Sequence, residues 1–180
     1  GELLIATVII LSFLALYGIG KKLTQKTEFS KLSKGLAISL MIAIGIGFHN
    51  LGEGLAVGAA IALGEVALST FFIVGFATHN TTEGLAIAAP LTSTKAKIVK
   101  MIGLGLIAGV PAIFGTWIGG FSFSPFFILI FLAIGAGAIF QVVLSIFHYM
   151  NEKSDLLSNT SLFAGISAGL IVMYLTSVII

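Results

Sequence analysis

Apolar positions run almost continuously along the chain and break only at short polar connections. A helix needs about 20 mostly apolar residues to cross a bilayer. Six stretches qualify: residues 2–20, 36–63, 66–91, 98–120, 125–150 and 157–180. Membrane β-barrel strands would alternate over segments of about ten residues, whereas these runs are unbroken. The pattern therefore predicts an all-α fold: one transmembrane domain over residues 1–180, built as a polytopic membrane helix bundle with six transmembrane helices.

Composition narrows the class. Of the 180 residues, 58% are apolar and 9% charged, against about 25% charged in an ordinary soluble domain. Mean hydropathy is +1.16. A soluble globular domain, a disordered tail and a nucleic-acid binder are excluded, and the lipid bilayer is the expected surrounding. Cys is absent, which excludes disulfides and thiolate metal sites.

All nine cationic side chains are Lys, and they cluster in three connections. Loop 21–35 holds Lys21, Lys22, Lys26, Lys31 and Lys34; segment 92–100 holds Lys95, Lys97 and Lys100; segment 151–158 holds Lys153. The connections near 64–65 and 120–124 hold none. With six spans the three Lys-bearing loops share one side, which the positive-inside rule makes cytoplasmic. Both termini then face outward, in a membrane expected to be a prokaryotic inner membrane. The first span lacks a basic flank and a cleavage site, so it does not read as a signal peptide. The chain begins at Gly1 rather than Met, which leaves upstream helices open. Small residues four apart, at Gly54/Gly58, Gly105/Gly109, Gly115/Gly119 and Gly165/Gly169, suit close helix packing in lipid.

Two charges stand inside spans. Glu53 and Glu83 lie well within the second and third apolar runs, where a carboxylate costs at least a few kcal/mol unless it faces the bundle interior and has a partner. The partners stand one turn earlier: His49 before Glu53, and His79 before Glu83. The neighbourhoods are an internal repeat, His-Asn-Leu-Gly-Glu-Gly-Leu-Ala from His49 and His-Asn-Thr-Thr-Glu-Gly-Leu-Ala from His79. A short connection between the spans predicts an antiparallel pair with both motifs at similar depth.

Residues four apart share a helix face, so each helix presents an imidazole with a carboxylate. Two nitrogens and two oxygens make a suitable shell for a divalent transition metal. Asn50 and Asn80 lie about 100° away around their helices, at the edge of the same site or of a second one beside it. A single His–Glu pair reads equally well as a structural hydrogen bond. Two copies at one depth favour a cation, because neighbouring carboxylates need a metal or protons between them. The ligand set suits Zn²⁺, Fe²⁺, Mn²⁺ or Co²⁺ better than Cu(I).

At these residues the chain resembles the ZIP (Zrt/Irt-like) family of divalent metal transporters, prokaryotic branch. That family carries His-Asn-x-x-Glu-Gly on its fourth helix and a related motif on its fifth; here the counterparts are His49–Gly54 and His79–Gly84. The six spans correspond to the family's third to eighth helices, so the resemblance implies that the first two are absent from this chain. Gly52 and Thr82 stand where many members have Pro, Asn80 where many have an acid, and Val110-Pro111 where some have Glu-Pro. The resemblance therefore implies one strong metal site, from His49, Glu53, His79 and Glu83, with a weaker second site through Asn50 and Asn80 less favoured. It is also compatible with a homodimer.

The function expected is transport of divalent transition-metal cations, Zn²⁺ first and Fe²⁺, Mn²⁺, Cd²⁺ or Co²⁺ as alternatives, toward the cytoplasm. The metal is substrate; no organic cofactor and no enzymatic activity are expected. A phosphate-binding loop is absent from the sequence, which argues against built-in ATP hydrolysis. An intramembrane zinc metalloenzyme is one alternative, although His-Glu-x-x-His is missing. A proton or cation carrier without metal is the other. Elsewhere, Pro111 predicts a kink, Gln141 an interhelical hydrogen bond, His148 an interfacial position and Glu65 a solvated turn. Trp117 and Phe121 suit the outer interface.

Overall fold

The computed structural model describes residues 1–24, 32–91, 98–121, 124–151 and 160–179. Lys26, Lys31, Lys95, Lys97 and Lys153 lie outside the described residues. Lys21 and Lys22 fall in a last helical turn, and Lys34 and Lys100 near helix starts.

All regular elements among the described residues are helical. They are α1 (Glu2–Thr24), α2 (Lys34–Ala62), α3 (Val66–Ala88), a 3₁₀ turn (Ala89–Leu91), α4 (Ile98–Gly119), α5 (Pro125–Asn151) and α6 (Thr160–Ile179). Four of these are long and apolar enough to cross a membrane: α1, α2, α4 and α5, as in an integral membrane protein. In α6 the apolar stretch Thr160–Leu175 is shorter. α3 has the length, but the polar run from His79 to Glu83 interrupts its apolar sequence.

α2 is the spine. It packs against α4 on one side and α5 on another, α1 lies on the far side of α5, and α3 lies along an edge of α2. Glycines explain the closeness. A Cβ on Gly54 or Gly58 would collide with the carbonyls of Ala112 or Thr116, and one on Gly115 or Gly119 with those of Leu51 or Leu55. These two pairs pack against each other backbone to backbone. Without a hydrophobic force between helices in lipid, such van der Waals contact is the main source of association. The other two predicted pairs differ: nothing lies within 4 Å of a Cβ on Gly105, Gly109, Gly165 or Gly169. Spacing alone does not say which helix face is turned inward.

α2 and α3 are joined by a tight reversal. Gly64 takes φ +74°, with its N–H donating to Ile61 O and that of Glu65 to Ala60 O, each at 3.0 Å. This is a Schellman closure, and glycine adopts its left-handed residue without strain. Glu65 is exposed there, as predicted. At its other end α3 tightens into the 3₁₀ turn at Pro90, which has no N–H to continue the helix. Ser39 of α2 donates to Ile87 O at 2.7 Å and ties that end down.

The predicted interhelical bond of Gln141 is replaced by a local one. Its amide donates to Ser145 Oγ at 2.9 Å, and Ser145 Oγ to Gln141 O at 3.1 Å, all within α5. Its link to α2 is packing against the bare backbone of Gly45. Trp117 is 74% exposed and Phe121 78%, as side chains at an interface would be. His148 lies in the last turn of α5 and is exposed.

Candidate metal centre

The hairpin geometry explains why the repeat converges. His49 and His79 each lie fifteen residues from Gly64, so antiparallel helices bring them level, about 22 Å from the turn at 1.5 Å per residue. Their rings stand 6.0 Å apart, centroid to centroid. Because the repeat runs in opposite directions on the two helices, Glu53 falls one turn nearer the reversal and Glu83 one turn farther from it. Helix side chains lean toward the N-terminus, which tilts both carboxylates back toward the imidazoles.

The distances follow. Glu53 Oε1 lies 2.8 Å from His79 Nε2 and 3.1 Å from His49 Nε2. Glu83 Oε1 lies 3.4 Å from His49 Nε2. Ligand atoms of His49, His79 and Glu83 all fall within 4.8 Å of one another. Tetrahedral ligands on Zn²⁺ at about 2.0 Å stand about 3.3 Å apart, close to the three nitrogen-to-oxygen separations seen here. The side chains are well covered, from 6% exposed at Glu53 to 18% at His79.

The hydrogen bonds around the centre set its electrical requirement. His49 Nδ1 lies 2.8 Å from the carbonyl oxygen of Gly135 on α5. A carbonyl only accepts, so Nδ1 carries a hydrogen and Nε2 is the nitrogen turned to the carboxylates. A lone pair 3.1 Å from a carboxylate oxygen is repulsive unless a proton or a cation lies between. Donation of the second ring N–H to a main-chain carbonyl is also the usual support for a metal-binding imidazole. Sequence reasoning did not find Gly135, since a backbone acceptor leaves no residue signature.

Three oxygens of the repeated motif are buried without a hydrogen-bond partner among the described residues: Glu83 Oε2, Asn50 Oδ1 and Asn80 Oδ1. Buried polar atoms of this kind call for an explanation, and a bound cation or water supplies one. Asn50 is half committed elsewhere, since its Nδ2 donates to Ala108 O at 3.0 Å and so docks α2 onto α4. That contact lies beside Pro111, which runs through α4 inside a continuous helix.

Apolar clusters flank the centre along the bundle. Toward the reversal lies a cluster with Ala56, Val57, Ala59, Ala60, Phe72 and Ile128, and Phe76 sets its ring edge-on to His79 at 5.6 Å. On the other side lies a cluster with Ile42, Ala43, Ile46, Ile87, Leu104 and Val142. On both α2 and α3 the motif falls between residues of the two clusters. The chain matches no family model, no curated protein and no solved structure.

Proposed function

We propose that this chain is a ZIP-like membrane transporter that carries divalent transition-metal cations, Zn²⁺ first, toward the cytoplasm through the His/Glu centre. The observation that carries the reading is the convergence of His49, Glu53, His79 and Glu83 from a repeated motif, with nitrogen-to-oxygen separations of 2.8, 3.1 and 3.4 Å. An arriving cation exchanges hydration water for two imidazoles and two carboxylates. The carboxylates neutralise its charge in apolar surroundings, and the orphaned oxygens of Glu83 and Asn50 are available to it or to its remaining waters. Glu53 and Glu83 bracket the histidine layer along the axis, so one carboxylate meets the ion on the reversal side and the other on the lysine-rich side.

In this reading all six helices span the membrane, α3 included. Its polar run faces α2 through one stripe of Phe72, Phe76, His79 and Glu83, while Phe71, Ile73, Val74 and Leu85 face outward toward lipid. The lysine pattern favours a reversal on the outer face with both termini outside by the positive-inside rule, and we infer a prokaryotic inner membrane.

Zn²⁺ uptake into proteoliposomes tests the reading, with the parent compared to Glu53→Gln/Glu83→Gln. Saturable flux in the parent and none in the variant is the expected result. Metal binding in both without flux in either would overturn transport. No metal binding, with carboxylate-dependent proton flux, would establish a proton carrier instead. The proton reading draws on the same geometry, since a proton satisfies the His49–Glu53 contact as well as a metal does.

A further inference from the structure

A second site lies away from the His/Glu centre. A cavity of about 480 Å³ opens where α1 and α5 end and α2 begins. α1 contributes Tyr17 and Lys21, α2 contributes Ile38 and Met41, and α5 contributes Gln141 and His148. The volume lies within the range of about 300–1,000 Å³ common for small-molecule sites.

Polarity is graded from floor to mouth. The floor is buried and formed by Gly20 and Gln141. It is closed toward the metal centre, because Gln141 and Val142 press on Gly45, where a Cβ would stand 2.6 Å from Gln141 Oε1. The cavity is therefore not a branch of the cation site. Its walls are mainly apolar, with Ile38, Met41 and Leu144. The mouth carries Tyr17, Lys21 and His148, all exposed.

Lys21 at the mouth cannot ligate a divalent cation, because its ammonium only donates. Apolar walls offer nothing to a small inorganic anion. A slot that is greasy within and cationic at its rim fits an amphiphile with an acidic head, and the surrounding bilayer is the source of such molecules. Lys also suits this depth, because its stem packs along apolar surface while its charge stays at the interface.

We propose that the cavity binds one acyl chain of an anionic phospholipid, with the headgroup phosphate held by Lys21 and His148. The proposal does not depend on the metal reading.

Spin-labelled phosphatidylglycerol and phosphatidylcholine, each introduced with the full chain into phosphatidylcholine vesicles, test it through the motionally restricted fraction. The expected result is a preference for phosphatidylglycerol that falls roughly fivefold in Lys21→Gln, the worth of one lysine at a lipid surface. Lys22→Gln removes the same charge one residue away, off the cavity, and leaves the preference in place. Ala37→Phe fills the cavity, keeps Lys21 and His148, and lowers the preference. Equal losses in Lys21→Gln and Lys22→Gln would show a diffuse surface charge and overturn the site. An undiminished preference in Ala37→Phe would overturn it too, as would its abolition by inorganic phosphate, which would reassign the site to a soluble anion. Charge-removing and cavity-filling variants act differently, so a folding defect in one, seen by circular dichroism, leaves the other decisive.

Discussion

The Nδ1–H of His49 on α2 donates to the main-chain carbonyl of Gly135 on α5 across 2.8 Å. The contact needs a bare α-carbon. A Cβ on Gly135 would stand 3.2 Å from His49 O and 3.4 Å from its Nδ1, so the two helices would have to separate by a few tenths of an ångström. Gly135→Ala is expected to weaken Zn²⁺ binding by roughly 10- to 100-fold, the usual effect of disturbing a partner behind a ligand, while helix content stays unchanged. Competition against a chelating dye measures the affinity. Parent-like affinity would remove Gly135 from the site.

Protons and metal compete for the same atoms. Imidazole nitrogen and carboxylate oxygen bind a cation only when deprotonated. Lowering the pH fills these sites with protons, so Zn²⁺ affinity falls with acid and binding at fixed pH releases protons into solution. Calorimetry in buffers of different ionisation enthalpy counts the released protons. Binding indifferent to both pH and buffer would place the metal elsewhere.

Glycines at identical spacing are predicted to behave differently. Gly54→Ala, Gly58→Ala, Gly115→Ala and Gly119→Ala each drive a methyl into a facing backbone, an overpacking that typically costs about 1–3 kcal/mol. Gly105→Ala, Gly109→Ala, Gly165→Ala and Gly169→Ala meet open space and are expected to be neutral or slightly stabilising, since alanine is the better helix former. Thermal melts in detergent distinguish the sets. A single shared response would mean that α2 and α4 do not meet along this seam.

The two asparagines of the repeat are also predicted to separate. Asn50→Ala removes a donor to Ala108 O and is expected to destabilise the bundle by about 1 kcal/mol. Asn80→Ala removes a buried oxygen without a hydrogen-bond partner among the described residues, and its stability should be close to that of the parent. If Asn80 instead serves only to hold the fold, its variant will melt earlier than that of Asn50.

Much of this was legible in the chain. The predicted runs coincide with the six helices to within a few residues, because the constraint is length and apolarity, which composition records directly. The pairing of His49 with His79 was legible because their distances from Gly64 are equal. The apolar pattern also made α3 and α6 spans, but only α1, α2, α4 and α5 are long and apolar enough on their own: the motif lowers the hydropathy of α3, and α6 keeps only a short apolar stretch. What stayed hidden depends on rotation about a helix axis. Gly105 and Gly54 sit in similar local sequence, yet one faces open space and the other a backbone. Gln141 finds its hydrogen-bond partner in Ser145 of its own helix, one turn on, where the sequence pointed to a neighbour.

The two apolar layers that flank the histidines have an electrical consequence. Apolar side chains on both sides of an ionisable centre screen charge poorly, so a charge held there interacts with its neighbours more strongly than it would in water. In the proposed six-span arrangement, a voltage along the bundle axis would fall mainly across the layer around Ile42 and Ile46 and the layer around Val57 and Phe72. A charge held between them sits on a plateau of nearly constant potential.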